Sequence, residues 1–91
     1  MKIYTLTNCS YCVELKNLLK GDNIDFTEIN IEAPEYINEF AEITKLAGEE
    51  VVPVIKLNNI LLVPNKSFHT IYDGYKLIKK LLEEEPKTFN I

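Results

Sequence analysis

The sequence predicts a small α/β domain, with helices covering both faces of one mixed β-sheet, and three observations predict it. Stretches of strand-like and helical period alternate along the chain in the order βαβα, then ββ, then α. The two cysteines, Cys9 and Cys12, fall where the first strand-like stretch hands over to the first helical one. Two apolar runs flank Asn58-Asn59, the spacing of a hairpin. At 91 residues the chain reads as one domain over 1–91, long enough for a modest core without staples.

Each element has its own signal. Residues 2–7 alternate well enough for a strand, with Ile3 and Leu6 among the apolar members. Over 10–20, Cys12, Leu15 and Leu18/Leu19 recur at helical spacing, and Gly21 follows at the usual stop position. Residues 28–31 alternate, and 26–31 read as the second strand. Pro34 opens a second helix from its first turn, with Glu35 favourable beside the dipole. Tyr36, Phe40, Ile43 and Ala47 line one side of that helix, Glu35, Glu39 and Glu42 form a solvated face, and Gly48 ends it. The runs 51–57 and 60–63 make the hairpin, and Pro64-Asn65-Lys66 turns. Ser67 reads as the N-cap of a last helix with the stripe Phe68, Ile71, Tyr75, Ile78 and Leu82. Gly74 weakens that helix by up to about 1 kcal/mol relative to Ala. Glu83-Glu84-Glu85-Pro86 ends it. The first βαβ crossover calls for parallel strands, and the hairpin adds antiparallel ones.

The chemistry sits in Cys9-Ser10-Tyr11-Cys12. A cysteine at a helix start faces backbone N–H groups that have no partner inside the helix. Those donors and the positive end of the dipole favour thiolate over thiol. Cys12, three residues on, shares a helical face with Cys9 and is close enough to form a disulfide with it. A purely structural disulfide across four residues closes so small a loop that it contributes only about 2 kcal/mol. A zinc site needs four ligands, and two cysteines and one histidine are too few, so no metal site is expected. Two inert cysteines are the remaining reading. Thiol–disulfide chemistry is favoured over all three. His69 reads as a solvent-facing residue with nothing in sequence to pair it with Cys9.

Charge narrows the partners. The net charge is −4 and the chain has no arginine, a poor balance for phosphate, so nucleic acid is not expected as a partner. No run approaches the roughly 18 apolar residues of a membrane span, and the first eight residues lack a signal-peptide core. A cytoplasmic protein is expected, where a lone cysteine pair is more often catalytic than structural.

Cys9-Ser10-Tyr11-Cys12, Val51-Val52-Pro53, a glycine (Gly48) five residues before that proline, and the hairpin and helix that follow resemble a glutaredoxin, a member of the thioredoxin-fold superfamily. The resemblance covers nearly the whole chain. It implies the sheet order 2-1-3-4 within a thioredoxin-like fold, the third strand antiparallel to the first, and a cis Pro53. It implies Cys9 as nucleophilic thiolate, Cys12 as resolving thiol, and glutathione as the reductant of the pair. Val52 would pair through its backbone with an extended substrate, Tyr11 would wall the groove, and Lys66 and Ser67 would hold the γ-glutamyl end of glutathione. Implied partners are glutathione and disulfide-containing proteins, ribonucleotide reductase among them, with the chain a monomer. Leu6, Glu49 with Glu50, and Val63-Pro64 depart from the family pattern, each removing a cation or a close-approach position from the glutathione groove. A thioredoxin-reductase-linked redoxin is therefore the alternative. Serine at position 10 opens another, because some members with serine there bridge a [2Fe–2S] cluster between two chains.

Overall fold

The structure, a computed structural model, describes residues 1–84. Strand β1 (Lys2–Thr5) leads into helix α1 (Ser10–Gly21), then β2 (Thr27–Asn30), one 3-10 turn (Pro34–Tyr36) and α2 (Ile37–Ala47). The hairpin β3 (Val54–Leu57) and β4 (Ile60–Leu62) follows, and α3 (Ile71–Glu83) closes the described chain. The sheet order is β2-β1-β3-β4, as the resemblance implies. β1 and β2 run parallel, with Ile3 beside Glu28 and Tyr4 beside Ile29. β3 is antiparallel to both β1 and β4, with Ile3 opposite Ile55 and Ile55 opposite Leu62.

Successive strand residues point to opposite faces, and two cores follow from that alternation. Ile3, Ile55 and Leu62 pack with Leu15 and Leu19 of α1 and with Phe68, Ile71 and Ile78 at and before α3. Tyr4, Ile29 and Val54 face the other way and pack on Phe40 and Ile43 of α2. Burial of one such side chain stabilises the fold by roughly 1.5–3 kcal/mol. Two helices thus cover one face and one covers the other.

Several boundaries differ from the expectations. Gly21 is the last residue of α1 rather than its stop. The reversal falls at Asn23, whose φ is 56°. The Asn23 N–H donates to the Lys20 carbonyl at 3.1 Å and the Ile24 N–H to the Leu19 carbonyl at 3.0 Å. That is a Schellman closure with asparagine in the left-handed position, and Ile24 packs back on the core beside Leu19. Pro34 opens a 3-10 turn, and α2 proper begins at Ile37. Gly48 ends α2 as expected, with φ 86°. Among the acidic residues expected on a solvated face, Glu39 instead accepts from the Tyr4 hydroxyl at 2.7 Å and the Lys2 ammonium at 3.0 Å.

The last helix starts later than expected. Ser67 is not its N-cap: the Ser67 Oγ accepts the Val63 N–H at 2.9 Å and closes the loop after β4. The cap is Thr70, whose Oγ1 accepts the Asp73 N–H at 3.0 Å. Phe68 therefore precedes the helix and reaches the core from the loop. α3 ends at Glu83. Glu85 and Pro86, read as part of its stop, lie outside the described residues.

Candidate active site

β1 delivers the chain to the site. Its last residue, Thr5, is fully buried, and its hydroxyl donates to Glu28 at 2.7 Å. Lys16 of α1 reaches the same carboxylate at 2.8 Å. Lys16, then Thr5, hold the Glu28 carboxyl below the usual carboxylate range. This knot fixes α1 against the end of the sheet. Beyond Thr5 the chain turns through Asn8, at φ 62°, a conformation asparagine tolerates better than most residues. The turn is pinned from the side of β2: Asn30 Nδ2 donates to Thr7 Oγ1 at 3.1 Å, and the Thr7 N–H donates to Glu32 at 3.3 Å.

Cys9 follows as the N-cap of α1, with extended backbone (φ −100°, ψ 106°). Its carbonyl accepts the Val13 N–H at 3.1 Å, and its Sγ accepts the Cys12 N–H at 3.1 Å. The sulfur thus occupies the position of a capping oxygen, aimed at donors that an α-helix leaves unpaired. An anion gains most from that geometry. Cys9 is half-buried and Cys12 is buried at 1% exposure. The two are joined as a disulfide with Cα atoms 5.2 Å apart. One sulfur is therefore within reach of solvent and its partner stands behind it, an arrangement suited to exchange in which the outer thiol attacks and the inner one resolves.

The remaining predicted positions divide into two groups. Tyr11, Val52 and Pro53 line a single groove of about 320 Å³ beside the pair. The Val52–Pro53 peptide is cis. Val52 makes no hydrogen bond among the described residues through its backbone N–H or carbonyl. Lys66 and Ser67 do not line this groove. The Lys66 ammonium donates to the Ala47 carbonyl at the end of α2 and lies 3.8 Å from Glu49, while Ser67 is engaged by Val63. Neither stands at the start of the last helix, because that helix starts at Ile71.

The sequence reading gave no site role to the other polar residues of the groove: Glu14, one turn after Tyr11 on α1, and Asn65, His69 and Thr70 on the loop that leads to α3. His69 is exposed, as expected, yet it faces the groove. Thr70-x-x-Asp73 carried a usable signal, a threonine with an acidic residue three positions on. The pins on the cysteine turn, Thr7, Asn30 and Glu32, carried none, because their partners are more than 20 residues away in sequence.

The comparisons agree with this geometry. A family model described as Glutaredoxin matches residues 1–61. "Glutaredoxin 1" of Rickettsia typhi is 35% identical over 89 residues, covering 97% of this chain and 84% of that protein. "Glutaredoxin-2, mitochondrial" of Bos taurus is 30% identical over 77 residues, covering 84% of this chain and 49% of that protein, so the chain spans about half the length of such relatives. An uncharacterized glutaredoxin-like 8.6 kDa protein from the rubredoxin operon of Clostridium pasteurianum is 35% identical over 68 residues, 74% of this chain and 88% of that protein. With its cysteine pair at the head of α1 and its sheet in the order 2-1-3-4, the chain belongs to the glutaredoxin family, thiol–disulfide oxidoreductases of the thioredoxin-fold superfamily.

Proposed function

We propose that the protein is a glutathione-linked dithiol–disulfide oxidoreductase, with Cys9 as nucleophile and Cys12 as resolving thiol. The observation that carries this is the Cys9 sulfur at the N-cap of α1, accepting the Cys12 N–H. In the reduced protein the Cys9 thiolate attacks one sulfur of a substrate disulfide. The new S–S bond forms as the old one breaks, and the leaving sulfur departs as thiolate and takes a proton from solvent. Cys12, deprotonated, then attacks the Cys9 sulfur and releases the second substrate sulfur. The substrate has gained two electrons and the Cys9–Cys12 disulfide has formed. One glutathione thiolate opens that disulfide as a mixed disulfide at Cys9. A second attacks the mixed disulfide, leaving glutathione disulfide and the dithiol.

The groove supplies the binding half of the scheme. The unpaired backbone groups of Val52 suit an extended substrate segment laid alongside as a short added strand. Pro53 and Tyr11 give that segment an apolar floor and wall. The substrates are protein disulfides and glutathione mixed disulfides, ribonucleotide reductase being one such protein, and the compartment is a reducing, glutathione-containing one such as the cytoplasm.

The test separates the two thiols. Cys9→Ser abolishes reduction of both substrate classes. Cys12→Ser retains activity on glutathione mixed disulfides, which need only Cys9, and loses it on protein disulfides. Equal loss of both in Cys12→Ser overturns the division of roles. Alkylation of the reduced protein as a function of pH should place the Cys9 thiol below an ordinary cysteine, and an ordinary value removes the basis of the proposal. Side-by-side rates with glutathione and with a thioredoxin-reductase system decide the reductant.

A further inference from the structure

The groove beside the cysteines carries a charge that the exchange chemistry does not require. Glu14 is the carboxylate among its lining residues, and none of those residues is a lysine. Glu14 sits on α1 two residues past Cys12, exposed, with no hydrogen bond or ion pair among the described residues. Glu28, Glu39 and Asp22 are answered by Lys16, Lys2 and Lys79, so none of those three lysines is free to neutralise Glu14. Lys66, on the loop that leads to α3, is held by the Ala47 carbonyl and by Glu49. The approach to the sulfur therefore presents one unneutralised negative charge.

We propose that Glu14 is a specificity-determining residue that selects disulfides whose reacting cysteine is flanked by lysine or arginine. The inference rests on the reading of this groove as the substrate site. A substrate strand beside Val52 crosses the mouth of the groove within reach of a carboxylate on α1. A cationic neighbour gains Coulomb energy there and an anionic one loses it. Because Glu14 is exposed, its action is that of a rim charge, on encounter and on KM more than on kcat, and it is screened by salt.

The test uses three peptides with a single cysteine flanked by lysine, alanine or glutamate, each as a mixed disulfide with glutathione. Glutathione is the reductant and the uncatalysed rate is subtracted. The flanking charges alter the intrinsic reactivity of the peptide in every assay, so the decisive quantity is how the lysine-to-glutamate ratio of kcat/KM changes between variants. For the unaltered protein that ratio exceeds that of Glu14→Gln by on the order of fivefold. Glu14→Asp retains the preference, Glu14→Lys carries the ratio below that of Glu14→Gln, and about 0.5 M salt removes most of the difference. A ratio unchanged in Glu14→Gln overturns the assignment, even with all three peptides turned over. Failure to reduce any of them overturns the glutathione-linked reading of the groove instead, so the two failures are told apart.

Discussion

At Gly74 the absent side chain lets the ring of Phe68 lie against α3. A Cβ placed there meets the ring carbons of Phe68 at 3.0–3.1 Å, and Phe68, 6% exposed, is packed in the core beneath α3. Gly74→Ala gains about 1 kcal/mol of helix propensity but overpacks a core, which costs typically 1–3 kcal/mol. The net expectation is destabilisation by about 1 kcal/mol, a fall in Tm of roughly 4–8 °C for a domain of this size. Gly21 is the control. It is also helical, and nothing lies within 4 Å of its would-be Cβ. Gly21→Ala therefore stabilises by up to about 1 kcal/mol. Thermal melts of the two variants moving in the same direction would show that propensity alone governs both sites. In the sequence Gly21 reads as a helix stop and Gly74 as a weak point inside a helix, and neither reading says what a side chain there would meet. Periodicity reports the face on which Gly74 lies, but not that a ring six residues earlier folds back onto it through a loop.

Elements were legible where their signal is local, and illegible where two local signals compete. The strand β2, the stripe of α1 and the glycine stop of α2 are decided within a few residues, and the structure keeps all three. Ser67 and Thr70 are equally good caps by residue type, and the choice between them is made by tertiary bonds. Ser67 is drawn to the Val63 N–H, and burying Phe68 in the core requires a non-helical segment before Ile71. The consequence reaches the candidate site, since a helix starting at Ile71 puts Thr70, not Ser67, on the groove wall. Thr70→Ala leaves the Asp73 N–H without its side-chain acceptor and is expected to cost about 1 kcal/mol. Ser67→Ala loosens the loop and leaves the cap of α3 intact. Amide exchange resolves them: Thr70→Ala speeds exchange in the first turn of α3, and Ser67→Ala speeds it at Val63. The reverse pattern would reinstate Ser67 as the cap. The cysteine pair was legible because a strand, a cap and a helix start lie within a dozen residues, although the pins that hold its turn, from Asn30 and Glu32, come from far along the chain.

For the whole molecule, periodicity predicts the elements but not which strand lies beside which; the order 2-1-3-4 entered through the family resemblance, while the parallel β1–β2 pair follows from the crossover alone. The electrostatic ties across the sheet were equally hidden. Glu39 of α2 read as solvated, yet it accepts the Tyr4 hydroxyl and the Lys2 ammonium, joining α2 to β1. The Tyr4 hydrogen bond, then Lys2, hold its carboxyl below the usual range, and Lys16 and Thr5 do the same for Glu28 at the other end of the sheet. A carboxyl that titrates lower folded than unfolded binds fewer protons in the native state, so unfolding takes protons up. The stability these two groups contribute is complete above the ordinary value of about 4.5 and is lost as pH falls through their lowered native values. Urea unfolding as a function of pH should therefore show stability nearly level from neutrality to about pH 5 and declining below it. Glu39→Gln lowers stability at pH 7, because a neutral amide replaces the charged partner of Lys2, and it makes the decline at acid pH shallower, because one linked proton is gone. If that variant is destabilised equally at pH 7 and pH 3, the tie between α2 and β1 is a packing contact and its charge contributes nothing.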